Sequence, residues 1–151
     1  MPKIKYYKKL NEDFKMLHKL IDDDYYARFG EIYLKYQPFN TLDGIEDFFI
    51  AYSGEKPIAC GCIRRITEKI AELKRVFVLP EYRRMGVANL VVDCCEKTMK
   101  KQNFICIRLE TGAVMHEAIQ LYKKRNYSIV KNYGDYYTIE VIRWKLFKTT
   151  Y

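Results

Sequence analysis

The residues of this 151-residue chain best suited to chemistry with an anion are Arg83-Arg84-Met85-Gly86-Val87-Ala88. They follow a strand-like run that stops at Pro80, a residue with no N–H to give a β-ladder, and they precede a helix-like stretch from Asn89 to Lys101. A turn that feeds a helix N-terminus gathers outward-pointing backbone N–H groups, and such a cluster binds phosphate. Gly86 lets a diphosphate approach the main chain, and Ala88 keeps the first helical turn equally low. Arg83 and Arg84 add charge-assisted bonds that can be bidentate. The plain alternative is a strand-to-helix turn with two solvated arginines. A six-residue pattern carries little information by itself, so the flanks decide.

The flanks are the run Ala71-Glu72-Leu73-Lys74-Arg75-Val76-Phe77-Val78-Leu79-Pro80 before the turn and an amphipathic stretch after it. A second block reads Leu109-Glu110-Thr111-Gly112, then Glu117-Ala118-Ile119-Gln120-Leu121-Tyr122-Lys123-Lys124-Arg125-Asn126-Tyr127. In this order and spacing the two blocks resemble the acetyl-CoA-binding core of the GNAT superfamily of N-acetyltransferases. The resemblance implies an α/β fold: a mixed, partly antiparallel central sheet with helices on both faces, its fourth and fifth strands splayed to admit the cofactor. It also implies a bulge in the fourth strand. Val76, Phe77 and Val78 would then give backbone contacts to the pantetheine arm and an N–H toward the thioester oxygen, where a fixed donor stabilises developing charge. Arg83, Arg84, Met85, Gly86, Val87 and Ala88 would hold the pyrophosphate. Side-chain packing of Val76, Phe77 and Val78 in the core is compatible with this, because side chains can pack while main chain binds.

Tyr122 matches the position of the family's usual general acid. The leaving thiolate has a conjugate thiol of pKa near 8.5, and a phenol of pKa about 10 keeps its proton until that thiolate develops. A substrate amine with a lysine-like pKa is protonated at pH 7 and needs a base. Glu72 is the first candidate, acting directly or through water, and Glu110 is the second. The plain reading of either is a salt-bridged or surface carboxylate. Asp22, Asp23 and Asp24 fall where the family's variable helices line the acceptor site, and their plain reading is a solvated helix end. Two positions depart from the family pattern: Met115 stands where many relatives have an Asn, and Asn126 replaces a frequent Gly before Tyr127. The segment Asn132-Tyr133-Gly134-Asp135-Tyr136-Tyr137 resembles a loop that helps close the acceptor side in some members. The implied activity is direct, acetyl-CoA-dependent transfer to the primary amine of a small molecule or peptide. Cys106, near the sheet's open edge, has no His or Asp spacing to activate it as an acyl carrier.

At this length one domain, 1–151, is expected, able to bury roughly 70% of its unfolded surface. With 49% hydrophobic and 30% charged residues the composition is globular. The basic start leads into Tyr6-Tyr7-Lys8-Lys9, not an apolar secretory core, and no apolar run is long enough to span a membrane. A cytoplasmic protein without membrane contact is expected. Five cysteines, Cys60, Cys62, Cys94, Cys95 and Cys106, sit in apolar strand or helix patterns and read as small buried hydrophobes. No metal is expected, because neither His18 nor His116 has matching ligand spacing. The net charge of +8 favours an anionic partner. Coenzyme A fits it; so would a nucleic acid stacked on some of the 14 tyrosines. No nucleic-acid-binding signature appears, and the basic residues are spread along the chain. A non-catalytic acyl-CoA-binding module is the other alternative, and a homodimer is left open by the last strand and the exposed tyrosines.

The elements that must position these residues read in order as follows. A strand over Ile4–Leu10 precedes a helix capped by Asn11 or Asp13. Helical character continues from Asp22 to Gln37, interrupted near Gly30 and ended by Pro38. A hairpin joins strands 48–52 and 58–64, and a third strand covers 69–79. After the helix that follows the turn come a strand over 105–110, a helix over 117–125, a strand over 127–131 and a last strand over 138–147.

Overall fold

Asn11 opens the first helix: its side-chain oxygen accepts the Phe14 N–H at 2.8 Å. Glu12 and Asp13 add negative charge at the positive end of the helix dipole. The computed structural model, which describes residues 1–112, 115–130 and 141–147, carries this helix, α1, over Glu12–Phe29. Phe14, Leu17 and Ile21 recur at helical spacing and are its buried side. Gly30 ends it at φ 66°, with its N–H on the Tyr26 carbonyl. The short α2, Tyr33–Tyr36, follows between two 3-10 turns, and Pro38 lies within the second. Asp22, Asp23 and Asp24 therefore stand inside α1, not at a helix end.

Seven strands form one sheet in the order β1-β2-β3-β4-β5-β7-β6. They are β1 (Lys3–Tyr7), β2 (Ile45–Ser53), β3 (Lys56–Arg65), β4 (Ile70–Val78), β5 (Cys106–Gly112), β6 (Ser128–Val130) and β7 (Val141–Phe147). Among the described residues every neighbouring pair is antiparallel except β4 and β5. The first strand is shorter than expected, since Lys8 to Leu10 form a bend and not a ladder.

Helices cover both faces. On one, the Phe14 ring of α1 meets Phe48 edge-on with centroids 4.9 Å apart, and Phe48 sits opposite Cys62 in the ladder. On the other face, the adjacent Gly61 lies under α3 (Val87–Lys101), where a Cβ on the glycine would stand 2.9 Å from Val91 Cγ1. The α3 face also receives α4 (His116–Lys124). There Arg125, just past the end of α4, meets Glu96 at 2.8 Å and Asp93 at 3.3 Å, and Tyr127 donates its hydroxyl to Glu96 at 2.9 Å. Asn126 takes φ 68°, so it does tolerate the left-handed turn after α4.

Two irregularities shape the interior. Cys60 pairs with Phe77 but Cys62 pairs with Lys74, so Arg75 and Val76 together face Gly61. That two-against-one count is a β-bulge in β4, and Arg75 within it has φ 56°. The parallel pairing of β4 with β5 covers only Ile70–Cys106, Ala71–Ile107 and Glu72–Arg108, although the strands run on to Val78 and Gly112. Beyond Glu72 they part. Cys106 sits at the paired end of this fork, not at the open edge where the sequence reading put it. No helix among the described residues is long and apolar enough to cross a membrane. The loop 132–137 lies outside the described residues.

Candidate active site

The open end of the fork leads into the basic turn. Leu79 leaves β4 with its N–H on the Ile58 carbonyl at 2.8 Å, and Pro80–Tyr82 make one 3-10 turn. Arg84 and Gly86 then take φ 64° and 78°, which reverses the chain into α3. Gly86 is the N-cap of α3 and gives it no side-chain cap, so the first N–H groups of the helix have no hydroxyl or carboxylate across them. Nothing lies within 4 Å of where a Cβ on Gly86 would be.

These segments share one cavity of about 650 Å³. Its wall takes Val76, Phe77 and Val78 from β4, Arg83, Arg84, Gly86, Val87 and Ala88 from the turn, and Tyr122 from α4. Met85, grouped with the cradle in the sequence, is exposed and stands outside this wall. Arg83 is braced: its Nε donates to the Val78 carbonyl at 2.9 Å and its guanidinium lies 5.5 Å from the Phe77 ring centre. At the rim Arg28 of α1 joins Glu117 of α4 at 2.7 Å and Asp24 at 3.2 Å. Burial raises the Glu117 carboxyl, but its own backbone N–H and the Arg28 charge outweigh that and hold it below the ordinary range.

A second cavity of about 100 Å³ occupies the fork itself, lined by Glu72, Lys74, Arg75, Glu110 and Thr111 among others. Tyr25, Val76, Met115, Ala118 and Tyr122 line both cavities. Tyr122 thus stands at the junction between the β4 bulge and the fork. It is 5% exposed, with the Tyr127 ring edge-on at 5.3 Å. Burial, then Tyr25, Cys95 and Glu96, hold its phenol well above the ordinary tyrosine value, against the pull of Arg125. Glu72 is buried at the last rung that β4 shares with β5, with Lys74 Nζ at 3.5 Å and Arg108 Nε at 3.9 Å.

The largest addition to the sequence reading is Arg75. Its side chain is buried, its Nη2 lies 3.0 Å from Asp22 and 3.3 Å from the Tyr33 hydroxyl, and its guanidinium faces the Tyr25 ring. Tyr33 in turn donates to Asp22, and its phenol is pushed up to about 12 by burial first and by that bond second. Asp22 is thus a partner of the bulge rather than a free charge for an acceptor amine. The one sequence signal for Arg75 was a charged residue inside a run of apolar strand.

This backbone resembles solved acetyltransferases. It matches the acetyltransferase from Streptococcus agalactiae with a TM-score of 0.77 and 19% identity, over 97% of this chain and 98% of that one. It matches the PaiA N-acetyltransferase from Thermoplasma acidophilum, solved in complex with coenzyme A, with a TM-score of 0.73 and 19% identity over 97% and 99% of the two chains. The fold is that of the acetyltransferase class. The model of the acetyltransferase (GNAT) family matches residues 14–127, and the chain belongs to that family. An uncharacterized N-acetyltransferase of Chlorobaculum tepidum is 34% identical over 71 residues, 47% of this chain and 46% of that protein. In three such relatives the matched stretch covers 46% to 60% of their length.

Proposed function

We propose that residues 1–151 form one acetyl-CoA-dependent N-acetyltransferase domain that passes an acetyl group directly to the primary amine of a small molecule or peptide. The observation that carries this reading is the shared wall: the bulged strand, the Gly86 turn and Tyr122 line one cavity. The residues present fit coenzyme A. An uncapped helix N-terminus, a glycine with open space at its Cβ position and two arginines suit a pyrophosphate. The thioester would supply the activated acetyl group.

In this reading Arg83, Arg84, Gly86, Val87 and Ala88 bind phosphate oxygens. The main chain of Val76, Phe77 and Val78 orients the pantetheine arm and directs an N–H at the thioester oxygen. Glu72, or Glu110 beside it in the same small cavity, takes a proton from the acceptor ammonium, directly or through water. Tyr122 gives a proton to the departing sulfur. Its raised phenol makes it a weaker acid than in water, so it remains a donor across the physiological pH range. Burial raises a thiol by the same mechanism, as at Cys62, which burial pushes up to about 12. A thiolate desolvated beside Tyr122 would likewise be made more basic, which favours proton transfer to it.

The test has two stages. Acetyl-CoA at 100 times its Kd should stabilise the fold by about 2.7 kcal/mol in a melting experiment. Thiol release from acetyl-CoA should then appear with at least one class among polyamines, amino acids, aminoglycosides and peptides. Stabilisation without thiol release for any amine would make the protein an acyl-CoA-binding module. Steeply salt-dependent oligonucleotide binding with no acetyl-CoA stabilisation would overturn the reading altogether.

A further inference from the structure

We propose that Cys60 and Cys62 are positioning residues: their thiols hold the β4 bulge in the shape that presents the Val76–Val78 main chain to the large cavity. The proposal rests on the acetyl-CoA reading for its functional consequence, and on geometry for the link itself. Cys60 Sγ donates to the Arg75 carbonyl at 3.3 Å, and Cys62 Sγ donates to the Lys74 carbonyl at 3.3 Å. These are consecutive carbonyls, at the start of the bulge. The two cysteines flank Gly61, the single β3 residue that faces both Arg75 and Val76.

The bulge needs such support. A non-glycine residue at φ 56° is held in a sparsely populated region, and it persists only where its surroundings over-determine it. Two residues of β4 against one of β3 also cannot follow the ordinary ladder. The side chain of Arg75 is fastened on the α1 side through Asp22 and Tyr33. The thiols fasten the main chain. They alternate with Gly61 along β3, so both project to one face of the strand. A thiol is a weak donor in water. Here both are fully buried, where no solvent competes for the carbonyls. Burial holds Cys60 well above the ordinary thiol range and raises Cys62 as well, so each keeps the proton it donates. Their chemistry is that of fixed S–H donors, and the mechanism asks no nucleophilic role of them.

The test compares Cys60→Val/Cys62→Val, which removes both donors, with Cys60→Ser/Cys62→Ser, which keeps an O–H at each position. Acetyl-CoA affinity, read by calorimetry, should fall about tenfold in the valine variant and return to within about threefold of wild type in the serine variant. A merely structural role would rank affinity with melting temperature, whereas burying two extra hydroxyls makes the serine variant no more stable than the valine one. Valine and serine variants binding equally well, or equally poorly, would overturn the proposal. Infrared spectroscopy of the wild-type protein supplies a readout independent of folding defects. The S–H stretching bands, assigned by Cys60→Ala and Cys62→Ala, should lie at hydrogen-bonded frequencies, and free-thiol frequencies would refute the link. If wild type fails to bind acetyl-CoA, the functional reading falls. The infrared bands and the deuterium exchange of a peptide spanning 70–78 in the two double variants then decide the thiol link alone.

Discussion

Gly61→Ala is a one-methyl test of how the sheet and α3 are fitted together. The added Cβ would stand 2.9 Å from Val91 Cγ1 and 3.5 Å from both Cys95 Sγ and Val76 Cγ2. Val91 is fully buried and β-branched, so it has no long flexible end to swing aside. Overpacking of this kind costs roughly 1–3 kcal/mol, and replacing a strand glycine returns about 0.4–1 kcal/mol of unfolded-state entropy. The net loss is then roughly 0–2.6 kcal/mol, or a fall in Tm of up to about 10 °C for a chain of this size. Function is drawn in because Val91 is one helical turn after Val87, and the cradle is the N-terminus of the same helix. If α3 lifts to relieve the clash, acetyl-CoA affinity should drop as well. Scanning calorimetry with and without acetyl-CoA reads both effects. In a double-mutant cycle, Gly61→Ala/Val91→Ala should be less destabilised than the two single changes summed, because the second truncation makes room for the first. A Gly61→Ala protein that melts above wild type, or strictly additive single changes, would refute the fit.

Four further outcomes follow from the same geometry. Gly86→Val puts a β-branched residue at φ 78° and its side chain at the mouth of the cavity; about 1–2 kcal/mol of strain and loss of coenzyme A binding by calorimetry are expected, and normal binding would remove the turn from the site. Tyr122→Phe should cut turnover at least tenfold while acetyl-CoA affinity is nearly kept, and unchanged turnover would take Tyr122 out of the mechanism. Glu117→Gln removes a negative charge from the wall of a site read as holding a polyanion. Affinity for coenzyme A should rise about two- to fivefold at low salt and converge with wild type at high salt, and weaker binding would count against the orientation of the groove. His18 is held below its ordinary value by burial first and the Arg75 charge second, against Asp22. Its depressed folded value means its contribution to stability is complete above about pH 6.5 and is lost as pH falls below that. His18→Gln should therefore flatten the Tm profile below about pH 6.5, and parallel profiles would contradict the assignment.

The turn and its helix were legible because both are local. Gly86 announces a backbone reversal, Pro80 announces the end of a strand, and the apolar spacing of Val87, Val91, Val92 and Cys95 shows which side of α3 is buried. The hairpin around Gly54 was legible for the same reason, and the structure adds that this glycine takes φ 60°. What could not be read were properties of pairs distant in the chain. Arg75 looked like one more strand residue, because the bulge that turns it toward Asp22 is a register relation between β3 and β4. The Arg28–Glu117 pair joins residues 89 apart in sequence. Asp22 to Asp24 resembled a solvated end because an acidic triplet marks an exposed face, yet α1 continues through it and Asp22 is spent on Arg75. Cys60 and Cys62 were read correctly as buried and incompletely as small hydrophobes, since hydrophobic spacing says nothing of which carbonyl a thiol will meet.

The bulge is where these pieces meet, which gives the fold its functional logic. On one face Asp22 and Tyr33 grip the Arg75 side chain; on the other Gly61 lets Val91 of α3 close against the sheet. Phe29, the last residue of α1, packs over Gly112 at the open tip of β5, where a Cβ would come within 2.5 Å of Phe29 Cζ. Both arms of the fork are thereby tied to α1, and the β4 arm is also tied to α3. A displacement of α1 would move the Arg75 wall of the small cavity and the Val76 wall of the large one together. The proposed acceptor side and cofactor side thus share one strand irregularity, and that irregularity is fastened to α1 through Asp22 and Tyr33.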